Sequence, residues 1–366
     1  METRLVAVDP EHPDEQAIAA AAEIIRRGGL VAFPTETVYG LGANALDPAA
    51  VRGIFRAKGR PSDNPLIVHL ASPADLPAVA VPLPLVDPLA RRFWPGPLTL
   101  VLPRTAAVPD ETTAGLDTVA VRVPDHPVAL ALIRASGCPI AAPSANRSGR
   151  PSPTRAAHVW ADLRGRIDMI LDGGQSGIGL ESTVLDLTQQ PPVLLRPGGV
   201  TVEELGEVIG PVRIHLAVEG RPAAGPVASP GMKYRHYAPA TPCVLVEGEP
   251  AAVAAHIATR VRQERAAGRR VGVLASREAA PDYDADVVLV AGSRTDPSEL
   301  ARHLFHGLRQ LDEAGLDLLF LEGVEPRGLG LALMNRMRRA AGYRIERAGA
   351  GGPHAGGAGT GGDGAP

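Results

Sequence analysis

Short apolar runs alternate with helical patterns along most of this chain, and that alternation restricts it to an α/β architecture. Residues 15–27 carry apolar side chains at helical spacing and end at Gly28-Gly29, and residues 30–33 then form a predicted buried strand that stops at Pro34. Further strands are predicted at residues 66–70, 98–102, 119–123, 169–171 and 183–187, and helices at 128–135 and 202–209. Some links are too short for a crossover helix, so the predicted sheet mixes parallel and antiparallel pairs.

The sequence divides into two α/β regions that are separated by a segment of different composition. From about residue 210 to 242 the chain is rich in Pro, Gly and Ala, as linkers are. We therefore predict a first domain over residues 1–210, a linker over 211–242 and a second domain over 243–347. Residues 348–366 are nearly all Gly and Ala, and we expect this tail to be disordered.

The second region has the alternation of a small doubly wound sheet, which is a Rossmann-like α/β/α arrangement. Its predicted strands cover residues 243–246, 271–274, 287–290 and 318–321. Its predicted helices cover residues 251–267, 297–314 and 331–341. The apolar strands carry no strong polar constellation, so the sequence assigns this domain no chemistry.

Charge and cysteine content exclude several classes of protein. The formal net charge is −3, so we expect any binding of tRNA or double-stranded RNA to be weak. Cys138 and Cys243 are widely spaced and fit neither a disulfide framework nor a zinc cluster. We expect a protein of the reducing cytoplasm, because we find neither a signal-peptide pattern nor eighteen uninterrupted apolar residues.

Lysine is rare in this chain, and its two occurrences mark polar segments. Of 37 basic residues only Lys58 and Lys233 are lysine. Residues 58–65 also hold Arg60, Asn64 and other polar groups between Gly and Pro, in a segment that is no helix interior. A lysine ammonium can bind a phosphate as a point charge. The alternative is that the two lysines are present by chance in a composition that favours arginine. His69, in the strand that follows, is either a core residue or a ligand contact.

Arg122 stands in an apolar strand with no carboxylate beside it in sequence. A buried guanidinium requires an anionic or hydrogen-bonding partner. Either the carboxylate of a substrate or an Asp or Glu from elsewhere in the chain would satisfy it.

Several loops are dense in glycine, hydroxyl and amide groups, and they cover residues 34–44, 141–154, 172–183 and 194–199. Such loops let the backbone approach a small ligand or converge on an anion, although plain turns between strands are the alternative. Residues 141–154 contain no His or Asp arranged to activate a serine, which favours hydrogen bonding to phosphate or nucleoside over acyl-enzyme chemistry. Residues 229–237, which are rich in aromatic and cationic groups, suit a strap over a bound nucleotide or simple docking of the linker.

Taken in order, these segments resemble the threonylcarbamoyl-AMP synthase family, the YrdC-like enzymes, in a long form with an added C-terminal domain. The resemblance spans roughly residues 17–341. It rests on signatures at residues 34–41, 58–61, 143–146, 196–198, 229–234 and 328–336. It implies a YrdC-like twisted mixed sheet with flanking helices, followed by the smaller Rossmann-like domain.

The resemblance also implies an activity and a set of site residues. L-threonine, bicarbonate and ATP would give threonylcarbamoyl-AMP and pyrophosphate, with Mg²⁺ accompanying ATP, and the product would serve a separate transferase complex that modifies tRNA. The residues that would hold threonine, with Arg122 on its carboxylate, are Thr35, His69, Arg122 and Ser182. Those that would hold ATP, with Ala142 acting through its backbone and Tyr234 closing over the nucleotide, are Lys58, Arg60, Asn64, Thr118, Ala142, Ser144, Ser152, Arg196 and Tyr234.

Within that reaction, charge develops on the α-phosphate and on the leaving pyrophosphate. The catalytic residues would be Lys58 and Arg60, which with Arg196 and Mg²⁺ are suited to stabilising that charge. No residue stands out as a general base or covalent nucleophile, so catalysis would consist mostly of positioning. No carboxylate pair has a spacing that identifies Mg²⁺ ligands.

Two other classes of protein remain as alternatives. A nucleic-acid-binding module would show a steep salt dependence of tRNA affinity, and the net acidity of the chain argues against it. A carbamoyltransferase maturation factor of the hydrogenase type would carry paired Cys-x-x-Cys motifs, which this chain lacks. For the C-terminal domain, a ligand-sensing or assembly role is the remaining interpretation.

Overall fold

The computed structural model describes residues 2–218 and 237–349. The strands of the first domain are β1 (Arg4–Ala7), β2 (Val31–Phe33), β3 (Gly40–Asn44), β4 (Ile67–His69), β5 (Leu98–Pro103), β6 (Thr118–Arg122), β7 (Ile140–Ala141), β8 (Met169–Asp172), β9 (Thr183–Asp186), β10 (Val193–Arg196) and β11 (Arg213–Ile214). The α-helices of the first domain are α1 (Glu15–Arg26), α2 (Pro48–Lys58), α3 (Val86–Phe93), α4 (Asp110–Thr113), α5 (Pro127–Ser136), α6 (Ala156–Leu163) and α7 (Val202–Ile209). Short 3₁₀ helices lie at Pro73–Ala78 and Leu216–Val218.

Within the described residues, these strands form one sheet in the order β1-β8-β2-β3-β7-β4-β6-β5-β9-β10-β11. β4 is parallel to β6 and β5 is parallel to β9, whereas β6 and β5 are antiparallel, as are β9 and β10. The carboxyl ends of β4, β6 and β10 therefore lie beside the amino ends of β5 and β9. The expectation of mixed pairing is confirmed.

Helices cover both faces of this sheet, which fits the flanking helices that the family resemblance implies. One face packs against α1 and α5, and the other packs against α2 and α3. In α1 the buried residues are Ile18, Ala21, Ala22, Ile24 and Ile25, which recur at helical spacing. The helix begins where the Asp14 side chain accepts a hydrogen bond from the backbone N–H of Ala17.

Several strands and helix ends were not found from the sequence. Residues 40–44, which were interpreted as part of a ligand-binding loop, form β3. Position 42 of this strand needs a glycine, because a Cβ there would lie 2.7 Å from Phe33 and 2.8 Å from Ile140. Only a glycine permits the neighbouring side chains to approach so closely. Lys58 is the last residue of α2, which ends at Gly59 with a left-handed φ of 61°.

The second domain has the parallel doubly wound sheet that its sequence predicted. Its strands are β12 (Cys243–Glu247), β13 (Val271–Ser276), β14 (Val287–Gly292), β15 (Leu318–Glu322) and β16 (Ile345–Arg347), and its helices are α8 (Pro250–Ala266), α9 (Pro297–Glu313) and α10 (Leu329–Ala340), with a 3₁₀ helix at Ala280–Asp282. The strand order is β14-β13-β15-β12-β16, and every neighbouring pair is parallel. The short β16 was not predicted.

The second domain contacts the first through α9 and α10. A single apolar cluster joins Val38 and Leu180 of the first domain to Leu304, Phe305 and other buried residues of these helices. Arg309 of α9 forms a 2.8 Å ion pair with Asp162 of α6, and both side chains are buried. The two domains therefore share a packed interface beside the loop that contains Val38.

Some predictions concern residues outside the described ranges. These are the strap with Lys233 and Tyr234, most of the predicted linker, and the tail beyond residue 349. The predicted domain boundaries stay predictions. Across residues 2–218 and 237–349, every helix is too short or too polar to cross a lipid bilayer.

Candidate active site

A pocket in the first domain gathers most of the candidate residues. Its lining comes from the loop after β2, from β4, from the end of β6, from the loop after β7, from the residues before β9 and from the end of β10. The residues that line it are Thr35, Thr37, Val38, Gly40, Arg60, Ile67, His69, Arg122, Ala142, Pro143, Ser144, Asn146, Glu181, Ser182, Arg196 and Tyr237. The strand arrangement explains part of this convergence, because His69 pairs with Arg122 in register and Ser182 directly precedes β9.

Arg122 has protein partners on three sides. Its Nε donates to the carbonyl oxygen of Gly96 at 3.1 Å, and its Nη1 donates to Thr37 Oγ1 at 2.9 Å. Its Nη2 lies 2.5 Å from Glu36 Oε1. The sequence left open whether a substrate carboxylate or an acidic residue from elsewhere would meet this guanidinium, and the structure places Glu36 there.

The ion pair with Glu36 does not use the full hydrogen-bonding capacity of Arg122. Nη2 is buried and carries two N–H groups, of which its contact with Glu36 can occupy only one. Arg122 is therefore neutralised by Glu36 and still offers an N–H group to a ligand in the pocket.

The other residues predicted to hold threonine are buried near Arg122. Thr35 Oγ1 donates to the carbonyl oxygen of Val38 at 2.6 Å, and Ser182 Oγ lies 2.8 Å from Thr99 Oγ1. Burial and the Arg122 charge lower the pKa of His69 to about 3, so its ring is neutral at physiological pH. A neutral ring beside a cation adds hydrogen-bonding groups to the pocket without adding charge.

Lys58 holds the loop after β7 against the end of α2. Its Nζ donates to the carbonyl oxygens of Ser144 at 2.5 Å and Asn146 at 2.6 Å, and its own carbonyl accepts from the Ser148 N–H at 2.9 Å. Burial and the nearby Arg60 charge lower the pKa of Lys58 well below its usual value. Two donors of Lys58 are taken by these carbonyls, so the structure shows it fixing the loop after β7.

Arg60 and Asn64 form a second polar unit beside Lys58. Arg60 Nη2 donates to the carbonyl oxygens of Asn64 at 3.0 Å and Pro65 at 3.2 Å, and Arg60 lines the pocket. The Asn64 Nδ2 group is buried and has no acceptor among the described residues. Buried donors in a protein core normally have an acceptor, so this one is suited to bind a ligand atom.

Arg196 binds the segment that begins β9. Its Nε donates to the Ser182 carbonyl oxygen at 3.0 Å, and its Nη2 donates to Ser182 Oγ at 3.1 Å. Burial lowers the pKa of Arg196 to about 10, which still leaves it charged. Arg122 and Arg196 thus supply two buried cations to one pocket.

The structure does not bring every predicted residue into the pocket. Lys58, Asn64 and Thr118 are absent from the lining described above, and Thr118 begins β6, four residues before Arg122. Ser152 is buried behind the pocket and donates its hydroxyl to Glu181, which does line it. The roles of these residues in nucleotide binding stay predictions, and that of Tyr234 lies outside the described residues.

Sequence reasoning missed three residues of this site that have ionisable side chains. Glu36 and Glu181 lie within segments that were singled out for their hydroxyls and glycines, and Tyr237 closes the segment from which Tyr234 was chosen. Tyr237 packs against Phe305 with ring centroids 5.3 Å apart. These contacts join residues far apart in sequence, so no local spacing signals them.

The pocket offers no protein ligands that fit Mg²⁺. Glu181 is the carboxylate among the described lining residues, and its oxygens already accept from Ser152 and Arg336. Across the described ranges, no cluster of three or more His, Cys, Asp or Glu side chains could hold a metal ion. No chemical step is therefore derived through a protein-bound metal.

The fold and the pocket define a two-domain α/β protein with buried guanidinium groups lining a pocket of its first domain. Two family models match the chain: one of the Sua5, YciO and YrdC type, described as "Telomere recombination", over residues 23–198, and "Threonylcarbamoyl-AMP synthase, C-terminal domain" over residues 200–342. The chain belongs to the threonylcarbamoyl-AMP synthase family.

Individual relatives resemble the chain over nearly its whole length. A protein of Pyrococcus abyssi named threonylcarbamoyl-AMP synthase is 55% identical over 336 residues, which cover 92% of this chain and 97% of that protein. One of the same name from Bacillus subtilis is 51% identical, over 91% of this chain and 95% of its own. The crystal structure of Pyrococcus abyssi Sua5 with L-threonine has a TM-score of 0.89 at 53% identity and covers 95% of this chain and 99% of that one.

Proposed function

We propose that this chain is a threonylcarbamoyl-AMP synthase, which makes threonylcarbamoyl-AMP and pyrophosphate from L-threonine, bicarbonate and ATP. One structural observation carries the proposal: the buried arginines Arg122 and Arg196 line one pocket, together with Ser182, whose hydroxyl accepts from Arg196. A substrate with one carboxylate and a nucleotide with a polyphosphate require two such cationic positions. Family membership and the Pyrococcus abyssi Sua5 structure with L-threonine support the choice of substrate.

Threonine binds at the end of β6 in this proposal. The unused N–H of Arg122 donates to its carboxylate, while Thr35, His69 and Ser182 surround the rest of the amino acid. Because His69 is neutral and buried, this part of the pocket favours a hydroxyl-bearing side chain over a charged one.

ATP binds on the side of Arg60, Ser144 and Arg196. The amine of threonine attacks the carbon of bicarbonate, whose hydroxyl leaves as water with a proton from the amine, and a carbamate forms. A carbamate oxygen then attacks the α-phosphorus as pyrophosphate leaves. Arg60, Arg196 and Lys58 stabilise the negative charge that develops on the phosphates. The remaining catalysis comes from holding the two substrates in line.

Mg²⁺ is proposed to enter with ATP, bound by the oxygens of the nucleotide and by water, as is usual for nucleotide enzymes. The product is proposed to pass, in the cytoplasm, to a separate transferase complex that modifies tRNA. Direct contact with tRNA or double-stranded RNA is weak in this proposal, because the chain has a net charge of −3.

The decisive experiment is pyrophosphate release from Mg-ATP with mass detection of the nucleotide product. L-threonine and bicarbonate are added singly and together. Release that needs both, with a threonylcarbamoyl-AMP mass, is the expected result. Release without threonine would indicate another acceptor, and no release with any combination would contradict the proposed function.

A further inference from the structure

Helix α10 of the second domain inserts a guanidinium directly behind the pocket of the first domain. Arg336 is 0% exposed, and its Nε donates to Glu181 Oε2 at 2.7 Å. Its Nη1 donates to Asn335 Oδ1 at 2.9 Å, and the guanidinium carbon lies 5.4 Å from the centroid of the Tyr237 ring. A residue of the second domain therefore touches two residues that line the pocket.

Glu181 lies between two buried arginines. It follows Leu180 and precedes Ser182, whose carbonyl and hydroxyl oxygens accept from Arg196, and its own carboxylate accepts from Arg336 and Ser152. Burial by itself would raise the pKa of Glu181, but the Arg336 and Arg196 charges and the Ser152 hydroxyl together lower it. Glu181 is therefore a buried anion at physiological pH.

A buried anion next to a buried cation is strongly attracted to it. If Arg336 were absent, the cations left near Glu181 would include Arg196, whose charge already acts on it, and Lys58. The positive charge of Arg196 would then act on Glu181 instead of on a phosphate. With Arg336 present, Glu181 is neutralised from behind the pocket.

We propose that Arg336 is a positioning residue: it neutralises Glu181 and so leaves the charge of Arg196 to act on the polyphosphate of ATP. The second domain thereby completes the nucleotide site, a role that its own sheet does not reveal. This inference rests on the proposed function, because it takes ATP to be the ligand of Arg196.

An electrostatic role and a purely structural ion pair predict different mutants. If the pair only held the domains together, Arg336→Met and Glu181→Gln would have similar effects, because each removes one partner. If Arg336 acts on the charge of Arg196, the effects on nucleotide binding are opposite. Arg336→Met exposes Arg196 to an unneutralised carboxylate, whereas Glu181→Gln removes that carboxylate.

The test measures the affinity of the full chain for ATP, inorganic pyrophosphate and L-threonine by calorimetry. The proteins compared are the wild type, Arg336→Met, Glu181→Gln and the double variant. We expect Arg336→Met to weaken ATP and pyrophosphate binding by about tenfold to hundredfold, the range of one charged hydrogen bond. Glu181→Gln is expected to bind ATP at least as tightly as the wild type, and the double variant is expected to recover most of the loss.

Arg338→Met is the matched control, since Arg338 lies in the same helix and pairs with Glu247 inside the second domain, 2.7 Å away. It is expected to leave the affinity for all three ligands unchanged. If Arg336→Met fails to fold, the Glu181→Gln variant still decides the question, because tenfold weaker ATP binding in it would overturn the proposal. Equal losses for ATP and threonine in Arg336→Met would also overturn it.

Failure of the proposed function has a different signature. In that case the wild-type chain itself would bind neither ATP nor pyrophosphate, and the inference would fail with it. If the wild type binds both and the asymmetry between the two single variants is missing, only the role of Arg336 is wrong.

Discussion

The charge of Arg122 is neutralised by Glu36, yet its guanidinium keeps a donor for a ligand. Its guanidinium is fixed by Gly96, Thr37 and Glu36, and Nη2, which contacts Glu36, carries a second N–H group that this contact does not occupy. A planar fork fixed in this way can meet a carboxylate without first losing side-chain entropy.

Arg122→Lys should raise the KM for L-threonine by about tenfold, because the lysine keeps the charge but loses the fixed fork of donors. The KM for ATP should change much less. Steady-state pyrophosphate release with each substrate varied in turn measures both values. Arg213→Lys, on an exposed residue of β11, is the control and should change neither. An unchanged threonine KM in Arg122→Lys would remove Arg122 from threonine recognition.

At the scale of the element, two glycines of the first domain differ in whether their surroundings leave room for a Cβ atom. Gly206 lies inside α7, and a Cβ built there meets nothing within 4 Å. Gly198 follows β10, and a Cβ there would lie 2.2 Å from the backbone nitrogen of Thr183. The first glycine is replaceable, whereas the second permits the end of β10 to pack on the start of β9.

Gly206→Ala should raise the free energy of unfolding by about 0.5–1 kcal/mol, because alanine loses less backbone entropy in a helix interior. Denaturant unfolding measures this change, and pyrophosphate release should stay at the wild-type rate. A loss of stability would show that α7 needs its glycine for a reason other than space.

Gly198→Ala should lower both stability and activity, since the backbone from Glu181 to Thr183 has to move away from the new methyl group. That segment carries Ser182, so the KM values for both substrates should rise. Thermal unfolding and pyrophosphate release, with Gly206→Ala measured alongside, check the expectation. Wild-type kinetics in Gly198→Ala would mean that the loop relaxes without disturbing Ser182.

The sequence was most informative about elements with a clear apolar period. The predicted helix over residues 202–209 matches α7, and the four strands predicted for the second domain are present. β3 was missed because its residues, Gly40 to Asn44, lack the branched side chains that mark a strand. Glycine there serves close packing, which only the neighbours Phe33 and Ile140 reveal.

Within the site, the sequence predicted residue types better than partners. The rarity of lysine drew attention to Lys58, which is buried next to the loop after β7. It gave no sign of the two carbonyl groups in that loop, of Ser144 and Asn146, to which Lys58 Nζ donates. The need of Arg122 for an anion was predicted, but Glu36 could not be chosen from the sequence. Arg336 was visible only as part of a family signature, because its partner Glu181 lies 155 residues away.

At the scale of the whole molecule, a pair of histidines joins the two domains. His158 of α6 and His306 of α9 are stacked with ring centroids 5.2 Å apart, and His158 Nε2 lies 3.0 Å from His306 Nδ1. The backbone N–H of Thr154 donates to His158 Nδ1, so that nitrogen carries no proton and Nε2–H donates to His306. Both rings must be neutral for this chain of hydrogen bonds to exist.

The surroundings of the pair oppose its protonation. Burial and then the charge of Arg309 lower the pKa of His158 to about 3, and burial with the Arg155 charge also lowers the pKa of His306. The folded chain therefore binds fewer protons than the unfolded chain between about pH 6.5 and pH 3. Stability that is present above pH 6.5 is lost as the pH falls through this range.

The free energy of unfolding should thus fall by about 1.4 kcal/mol per pH unit between about pH 6 and pH 4 for His158 alone, with His69 and His306 adding to the slope. Urea unfolding at a series of pH values measures the slope for the wild type, for His158→Gln and for His12→Gln, where His12 is an exposed control. His158→Gln should give a shallower slope, because glutamine can accept from Thr154 without titrating. Equal slopes in the wild type and His158→Gln would mean that the contact between the domains tolerates a charged ring, and the acid sensitivity would then belong to His69 within the pocket.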